Sequence, residues 1–286
     1  MDHHFNRGQS VSAALQASLN SSFTQFLASH EPELLPNNPM QKTHGAHAGT
    51  KLEFEHGTTI VAATYADGVV LAGDRRATAG SMISKRDVRK IFRTDEFSAA
   101  GASGTWSTAV EIIRLFQVEL EHYEKMEERE LSLVGKANRL GAMIKGNLPA
   151  AMQGLVVVPM LVGYDTGTGT AHIFSYDAAG GPFEEQSFYA IGSGSIFARG
   201  SLKKLYTEGM PVRDAVLACI QALYDAADDD SATGGPDLAR RLFPVAATVT
   251  ANGFAWVSDE ECEEFGRMVV EQRLNSPDGP KASLTH

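Results

Sequence analysis

The chain has 286 residues, a formal net charge of −10, 43% hydrophobic residues and only two cysteines, Cys219 and Cys262. This acidic balance argues against a generic nucleic-acid or anionic-membrane surface, and two cysteines without metal-ligand spacing read as small buried hydrophobes. No run reaches the roughly 18 apolar residues of a membrane helix, and the segment from Met1 to Arg7 lacks the apolar core of a secretory signal.

The expectation is therefore a cytoplasmic protein with no metal and no other cofactor, since no histidine pair sits near Cys or Glu in a zinc-like arrangement. In chain order, residues 1–57 are rich in Ser, Asn, His and Gly, with Pro32, Pro36 and Pro39. They read as a removable prosegment, with a short amphipathic piece around Phe23 to Leu27 and a Leu34-Leu35-Pro36 patch able to dock. The character changes at Gly57-Thr58. Thr58 to Ala63 is an alternating β-branched run, and Asp67-Gly68 separates it from Val69 to Ala72. Asp-Gly between two such runs signals a tight hairpin, because primed turns need positive φ.

Next comes Gly73-Asp74-Arg75-Arg76-Ala77-Thr78-Ala79-Gly80, which places a carboxylate at the end of a buried strand beside two arginines. Buried carboxylates are normally paired, so an ion-paired turn is one reading. Asp87 to Phe92 enters a strand, Asp95-Glu96 turns, and Phe97 to Ala102 leads into small residues up to Gly104. From Thr105 the period becomes 3.6, with Trp106, Val110, Ile113, Leu115, Phe116 and Leu120 on one stripe. A second helix after Ser132 carries Val134, Leu140, Ile144 and Leu148, and Pro149 interrupts it.

Strands return at Leu155 to Tyr164 and Ala171 to Tyr176, and Phe183 to Ile191 suggests a further strand pair. Gly192-Ser193-Gly194-Ser195 opens a helix from Ile196 to Tyr206, without a second phosphate-binding element to make it an anion site. Pro211 suits the first position of a helix from Val212 to Ala227. The run Asp228 to Gly235 has three aspartates but no calcium-loop spacing. Strands Phe243 to Thr250 and Phe254 to Val257 flank Asn252-Gly253, and a last helix covers Asp259 to Leu274. This order suits an α+β domain, two stacked antiparallel sheets with helices on both outer faces.

Gly57-Thr58 also carries a chemical possibility. A threonine hydroxyl needs a base, and an N-terminal threonine has one in its own α-amine, with an ordinary pKa of about 7.7–8.0. Gly57 tolerates a strained approach of the Thr58 hydroxyl to its carbonyl. Cleavage there would leave residues 58–286 as one catalytic domain, with a flexible tail from about residue 275.

Taken together, Thr58-Thr59-Ile60-Val61, Gly73 to Thr78, Arg89-Lys90-Ile91, Gly101 to Gly104, Gly192 to Ser195 and Asp230 to Gly235 resemble a proteasome core-particle β-subunit, from Gly57 to about Leu274. The prosegment and the Asp228 to Gly235 wording look actinobacterial in type. The resemblance implies the four-layer αββα sandwich of N-terminal nucleophile hydrolases and a threonine endopeptidase activated by cleavage at Gly57-Thr58. By the same resemblance, Thr58 is the nucleophile, with Asp74 and Lys90 beside it. Ser193, Asp230 and Thr233 form a supporting hydroxyl–carboxylate cluster at the freed amine, Thr233 standing where many relatives have Ser.

The resemblance further makes the Gly104 N–H the oxyanion donor and lets Thr78 and Gly104 pair with substrate as an added strand. Ala77, Val88, Phe92, Ala102, Trp106 and Val110 then line an apolar pocket for the residue before the cut, favouring hydrophobic side chains. Trp106 departs from a small residue and either reshapes that pocket or merely starts the helix stripe. Implied partners are heptameric β-rings inside α-subunit rings, a ring ATPase that unfolds substrates, and protein substrates tagged by a small protein modifier, with no nucleic acid and no membrane. Three alternatives stay open on sequence: a catalytically silent ring scaffold, a small-amide hydrolase of the same nucleophile class, and the shorter double-hexamer threonine protease of bacteria.

Overall fold

The fold follows from strands whose two faces are both apolar. The computed structural model describes residues 55–280. The expected amphipathic piece at residues 23–27, the patch at 34–36, most of the prosegment and the last six residues lie outside the described residues. Strands β2 (Thr59–Tyr65) and β3 (Gly68–Gly73) form the hairpin expected around Asp67-Gly68. They sit inside a five-stranded antiparallel sheet with β11 (Phe188–Gly192), β12 (Val245–Thr250) and β13 (Gly253–Trp256), in the order β11-β2-β3-β12-β13. A second sheet has the order β10-β9-β8-β7-β6. Its strands are β6 (Ile91–Arg93), β7 (Ser98–Gly104), β8 (Val157–Asp165), β9 (Thr170–Tyr176) and β10 (Pro182–Glu185).

Alternation along β2 and β3 sends successive residues to opposite faces. Ile60, Ala62, Val69 and Leu71 pack against Met160, Val162 and Ile173 of the other sheet. Val61, Ala63, Val70 and Ala72 pack outward on helices α4 (Ser195–Leu205), α5 (Val212–Asp229) and α6 (Asp259–Asn275), through Leu202, Ile220, Leu223 and Phe265. The far face of the second sheet is covered by α1 (Trp106–Glu127) and α2 (Leu133–Gly146), through Phe116, Leu140, Leu161 and Phe174. A single turn, α3 (Leu148–Ala151), follows. The layers are thus helix, sheet, sheet, helix, as expected. Burial on both faces explains why the strands read as near-continuous apolar runs instead of a polar alternation.

Helix starts follow local chemistry. Ser258 and Glu261 form a reciprocal capping box at α6, and the Ser132 hydroxyl accepts from the Gly135 N–H at 3.2 Å to start α2. Both cysteines are buried. Burial pushes the Cys219 thiol up to about 12 and Cys262 up to about 11, so neither is a ready nucleophile.

Three expectations need correction. The buried face of α1 runs through Ala109, Ile112, Ile113, Phe116 and Leu120, while Leu115 is 51% exposed. On α2 the stripe starts at Leu133, not at the exposed Val134, and Leu148 lies beyond the helix. Periodicity locates a stripe only to within one neighbour, and packing against the second sheet decides which residues turn inward. The strands at 182–192 are no hairpin: β10 pairs with β9 and β11 with β2, in different sheets. Finally, the stretch after Gly73 contains an unforeseen hairpin, β4 (Ala77–Ala79) and β5 (Met82–Lys85), joined on its other side by β1 (Glu55–His56). β5 is exposed along its length and so carries no hydrophobic alternation.

Phe116 is fully buried between α1 and the second sheet, so Phe116→Ala should cost about 3–5 kcal/mol in urea unfolding of the chain. Leu115→Ala should change it by less than about 0.5 kcal/mol; the opposite ranking would mean the helix is rotated by one position.

Candidate active site

The ends of four segments meet around one carboxylate. Asp74 follows β3, Lys90 precedes β6, Thr58 precedes β2 and Thr59 begins it, and the Asp230 to Gly235 loop follows α5. The Asp74 side chain is fully buried and pairs with the Lys90 Nζ at 2.8 Å. Its Oδ1 also accepts the Thr59 N–H at 2.9 Å, and its Oδ2 accepts the N–H groups of Arg76 at 2.8 Å and Gly234 at 2.9 Å. The arginines that made an ion-paired turn plausible do not supply Asp74 with a side-chain partner. Arg75 pairs with Asp87, and the Arg76 guanidinium holds the carbonyls of Ser231 and Thr233 at 3.0 Å each.

Lys90 donates to three acceptors: Asp74 Oδ1, the Gly57 carbonyl at 3.0 Å and the Arg76 carbonyl. Three acceptors use all three protons of an ammonium, which accepts nothing. Burial pushes the Lys90 pKa below its ordinary value, and the Asp74 charge and hydrogen bond pull back against that fall. The result is a cation kept in place by geometry but relatively easy to deprotonate.

The Gly57–Thr58 bond lies directly over this pair. The Thr58 hydroxyl donates to the Gly57 carbonyl oxygen at 2.6 Å, the same oxygen that Lys90 contacts. Gly57 has φ +124°, a conformation that L side chains rarely adopt, and a Cβ there would sit 2.5 Å from Thr78 Oγ1. Only glycine fits. Immediately upstream, β1 lies antiparallel to β4, with Glu55 opposite Ala79 and His56 opposite Thr78. Residues preceding the bond thus occupy, as an added strand, the backbone edge expected to pair with substrate.

On the other side, Asp230 Oδ2 accepts from the Ser193 hydroxyl at 2.5 Å and the Thr233 hydroxyl at 2.6 Å, so the three expected residues do come together. Burial alone would raise the Asp230 pKa. The Ser193 and Thr233 hydroxyls, with the Ala232 and Thr233 N–H groups, outweigh it and hold the carboxyl below its ordinary value. The Ser193 N–H donates to the Thr58 carbonyl at 3.0 Å, which fixes the cluster beside Thr58.

Gly104 ends β7 opposite Val157. Of the six expected pocket residues, Ala77 and Ala102 are buried and Val88, Phe92, Trp106 and Val110 are half-buried. Phe92 and Trp106 have ring centroids 6.0 Å apart and tilted by 30°. Sequence reasoning missed Thr59, Arg76 and Gly234. All three act at Asp74 wholly through backbone groups, which leave no residue-type signal. Only the small-residue run Thr233-Gly234-Gly235 hints that a backbone comes close there.

Among the described residues no cluster of His, Cys, Asp and Glu is arranged to hold a metal ion, and no helix is long and apolar enough to cross a membrane.

A model of the proteasome subunit family matches residues 54–237. The chain is 58% identical over 264 residues to a proteasome subunit beta of Streptosporangium roseum, covering 92% of each chain. It is 54% identical to a proteasome subunit beta of Streptomyces griseus, covering 93% of each. To a proteasome subunit beta 2 of Thermomonospora curvata it is 51% identical, covering 97% of this chain and 98% of the relative. The family match over residues 54–237, with more than half the residues identical to these relatives along nearly the whole chain, leads to one conclusion: the chain belongs to the proteasome subunit family, with the β-subunits, whose members assemble into rings with other subunits.

Proposed function

We propose that this chain is a threonine endopeptidase that cuts its own Gly57–Thr58 bond and then cleaves peptides with Thr58. The observation that carries the proposal is the shared oxygen: the Thr58 hydroxyl and the buried Lys90 both donate to the Gly57 carbonyl. In processing, Thr58 Oγ1 bonds to the Gly57 carbonyl carbon, and its proton passes to the departing Thr58 nitrogen as the C–N bond breaks. The Lys90 donor stabilises the negative charge that builds on the carbonyl oxygen. Water then hydrolyses the Gly57–Thr58 ester, giving a Gly57 carboxylate and a free Thr58 amine.

Loss of Gly57 has a second consequence. One Lys90 N–H loses its acceptor and can turn to Thr58 Oγ1, lowering the cost of deprotonating it. In peptide cleavage the new amine takes the hydroxyl proton while Oγ1 bonds to the scissile carbonyl carbon, and returns it to the leaving amine. The Gly104 N–H donates to the oxyanion, and water releases the acyl group. Asp230, Ser193 and Thr233 surround the amine and orient it. Substrate pairs with Thr78 and Gly104 as β1 pairs with β4, and Ala77, Val88, Phe92, Ala102, Trp106 and Val110 receive a hydrophobic side chain before the cut. Residues 1–57 act as the prosegment of 58–286. A cytoplasmic heptameric β-ring between α-rings, fed tagged proteins by a ring ATPase, is the setting we infer from the family. A silent scaffold is disfavoured because it would have no use for a buried lysine held at Thr58.

Assembled particles carrying Thr58→Ala should keep their shape by electron microscopy, retain residues 1–57 and lose peptidase activity by at least about a thousandfold; wild-type turnover in that variant would refute the nucleophile. Lys90→Ala leaves Asp74 buried and unpaired, so processing should stop and stability should fall by about 3–5 kcal/mol in thermal unfolding. In the processed enzyme, kcat/KM should rise about tenfold per pH unit on its acid side and level off near the ordinary α-amine pKa of about 7.7–8.0. A flat profile from pH 6 to 9 would exclude that amine as the base.

A further inference from the structure

The residue after the nucleophile has two attachments that its sequence position alone does not suggest. Thr59 is fully buried. Its N–H donates to Asp74 Oδ1 at 2.9 Å, and its carbonyl accepts the Asp74 N–H at 3.2 Å. Its hydroxyl lies 2.6 Å from the hydroxyl of Thr233, also fully buried, and accepts the Gly194 N–H at 3.0 Å.

Counting protons fixes the direction of this chain. Thr233 has one hydroxyl proton, and it goes to Asp230 Oδ2. The proton between the two threonines must therefore belong to Thr59. The order runs from Gly194 N–H to Thr59 Oγ1, from Thr59 O–H to Thr233 Oγ1, and from Thr233 O–H to Asp230, which the Ser193 hydroxyl also contacts. Each member is oriented by the one before it, and hydrogen bonds in series polarise one another.

Gly194 gives an independent indication that the space is reserved for these hydroxyls. Its φ is −86°, which any residue adopts, so backbone freedom does not demand glycine there. A Cβ at Gly194 would instead sit 2.6 Å from Thr59 Oγ1 and 2.7 Å from Thr233 Oγ1, with Ala226 Cβ at 2.9 Å behind them, so the two hydroxyls are its nearest obstacles.

We infer that Thr59 is a positioning residue for the threonine chemistry: its N–H holds Asp74 and its hydroxyl aims Thr233 at Asp230, locking the groups on the two sides of Thr58 into one register. The inference rests on the proposed role of Thr58. It also accounts for Thr233, because the threonine methyl restricts the χ1 of its hydroxyl, and a hydroxyl that must accept from one partner and donate to another gains from that stiffness.

The test is steady-state hydrolysis of a fluorogenic peptide by assembled, processed particles carrying Thr59→Val, Thr59→Ser or Gly194→Ala, with Thr58→Ala as the inert control. Valine keeps the shape and removes the hydroxyl. We expect kcat to fall about tenfold with KM within twofold, and serine at that position to recover at least half of the lost rate. Thr59→Val/Thr233→Val should be no slower than Thr233→Val alone, since the Thr59 hydroxyl acts only through Thr233. Should Thr59→Val fail to assemble, Gly194→Ala carries the test and should show the same loss of kcat at unchanged KM.

Wild-type kcat in assembled Thr59→Val, or in Gly194→Ala where it carries the test, would overturn the inference. So would serine performing no better than valine, which would assign Thr59 to packing. Activity surviving in Thr58→Ala would instead defeat the underlying reading of the site, so the two failures are distinguishable.

Discussion

The site depends on burying one negative charge. Asp74 has no access to water, and a carboxylate in that position is tolerable only when its lone pairs are met and its charge is balanced. Lys90 supplies the balance, and the N–H groups of Thr59, Arg76 and Gly234 supply the remaining bonds. Those donors come from the start of β2, the turn after β3, the approach to β6 and the loop after α5. A single carboxylate therefore ties together segments that are far apart in the chain. It also fixes where the lysine cation points, at the Gly57 carbonyl and the Thr58 hydroxyl that rests on it.

A second carboxylate does parallel work under different conditions. Asp230 is met by hydroxyls in place of a cation, and those bonds keep it ionised without neutralising it. On one side of Thr58 is a paired charge that can stabilise an oxygen anion. On the other is an unpaired negative charge suited to a protonated amine. The asymmetry matters because a threonine serving as both nucleophile and base has to pass a proton from its oxygen to its nitrogen. Around this centre the αββα layers provide rigidity: β2 and β3 are buried on both faces by two separate apolar clusters, so the strand that Thr58 leads into has little freedom to shift.

Much of this was legible in the sequence, for identifiable reasons. Thr58, Asp74, Lys90, Ser193, Asp230 and Thr233 stood out through the family resemblance of the motifs that hold them, and the structure gathers them around the Gly57–Thr58 bond. The layered fold was readable because short β-branched apolar runs give way to a 3.6 period at Thr105 and return after Pro149. Thr59 was hidden by looking like an ordinary strand threonine, and Gly234 by acting only through its N–H. The β4–β5 hairpin was hidden because exposed strands need no hydrophobic alternation. That β10 and β11 belong to different sheets was hidden because periodicity identifies a strand without identifying its partner.

The most direct measurement is the intact mass and first residue of the β-chain in particles that are actively hydrolysing peptide. The expected result is a chain that has lost residues 1–57 and begins at a free Thr58 amine. Full activity from a chain still carrying Gly57, or from one whose Thr58 amine is blocked by an acetyl group, would contradict it.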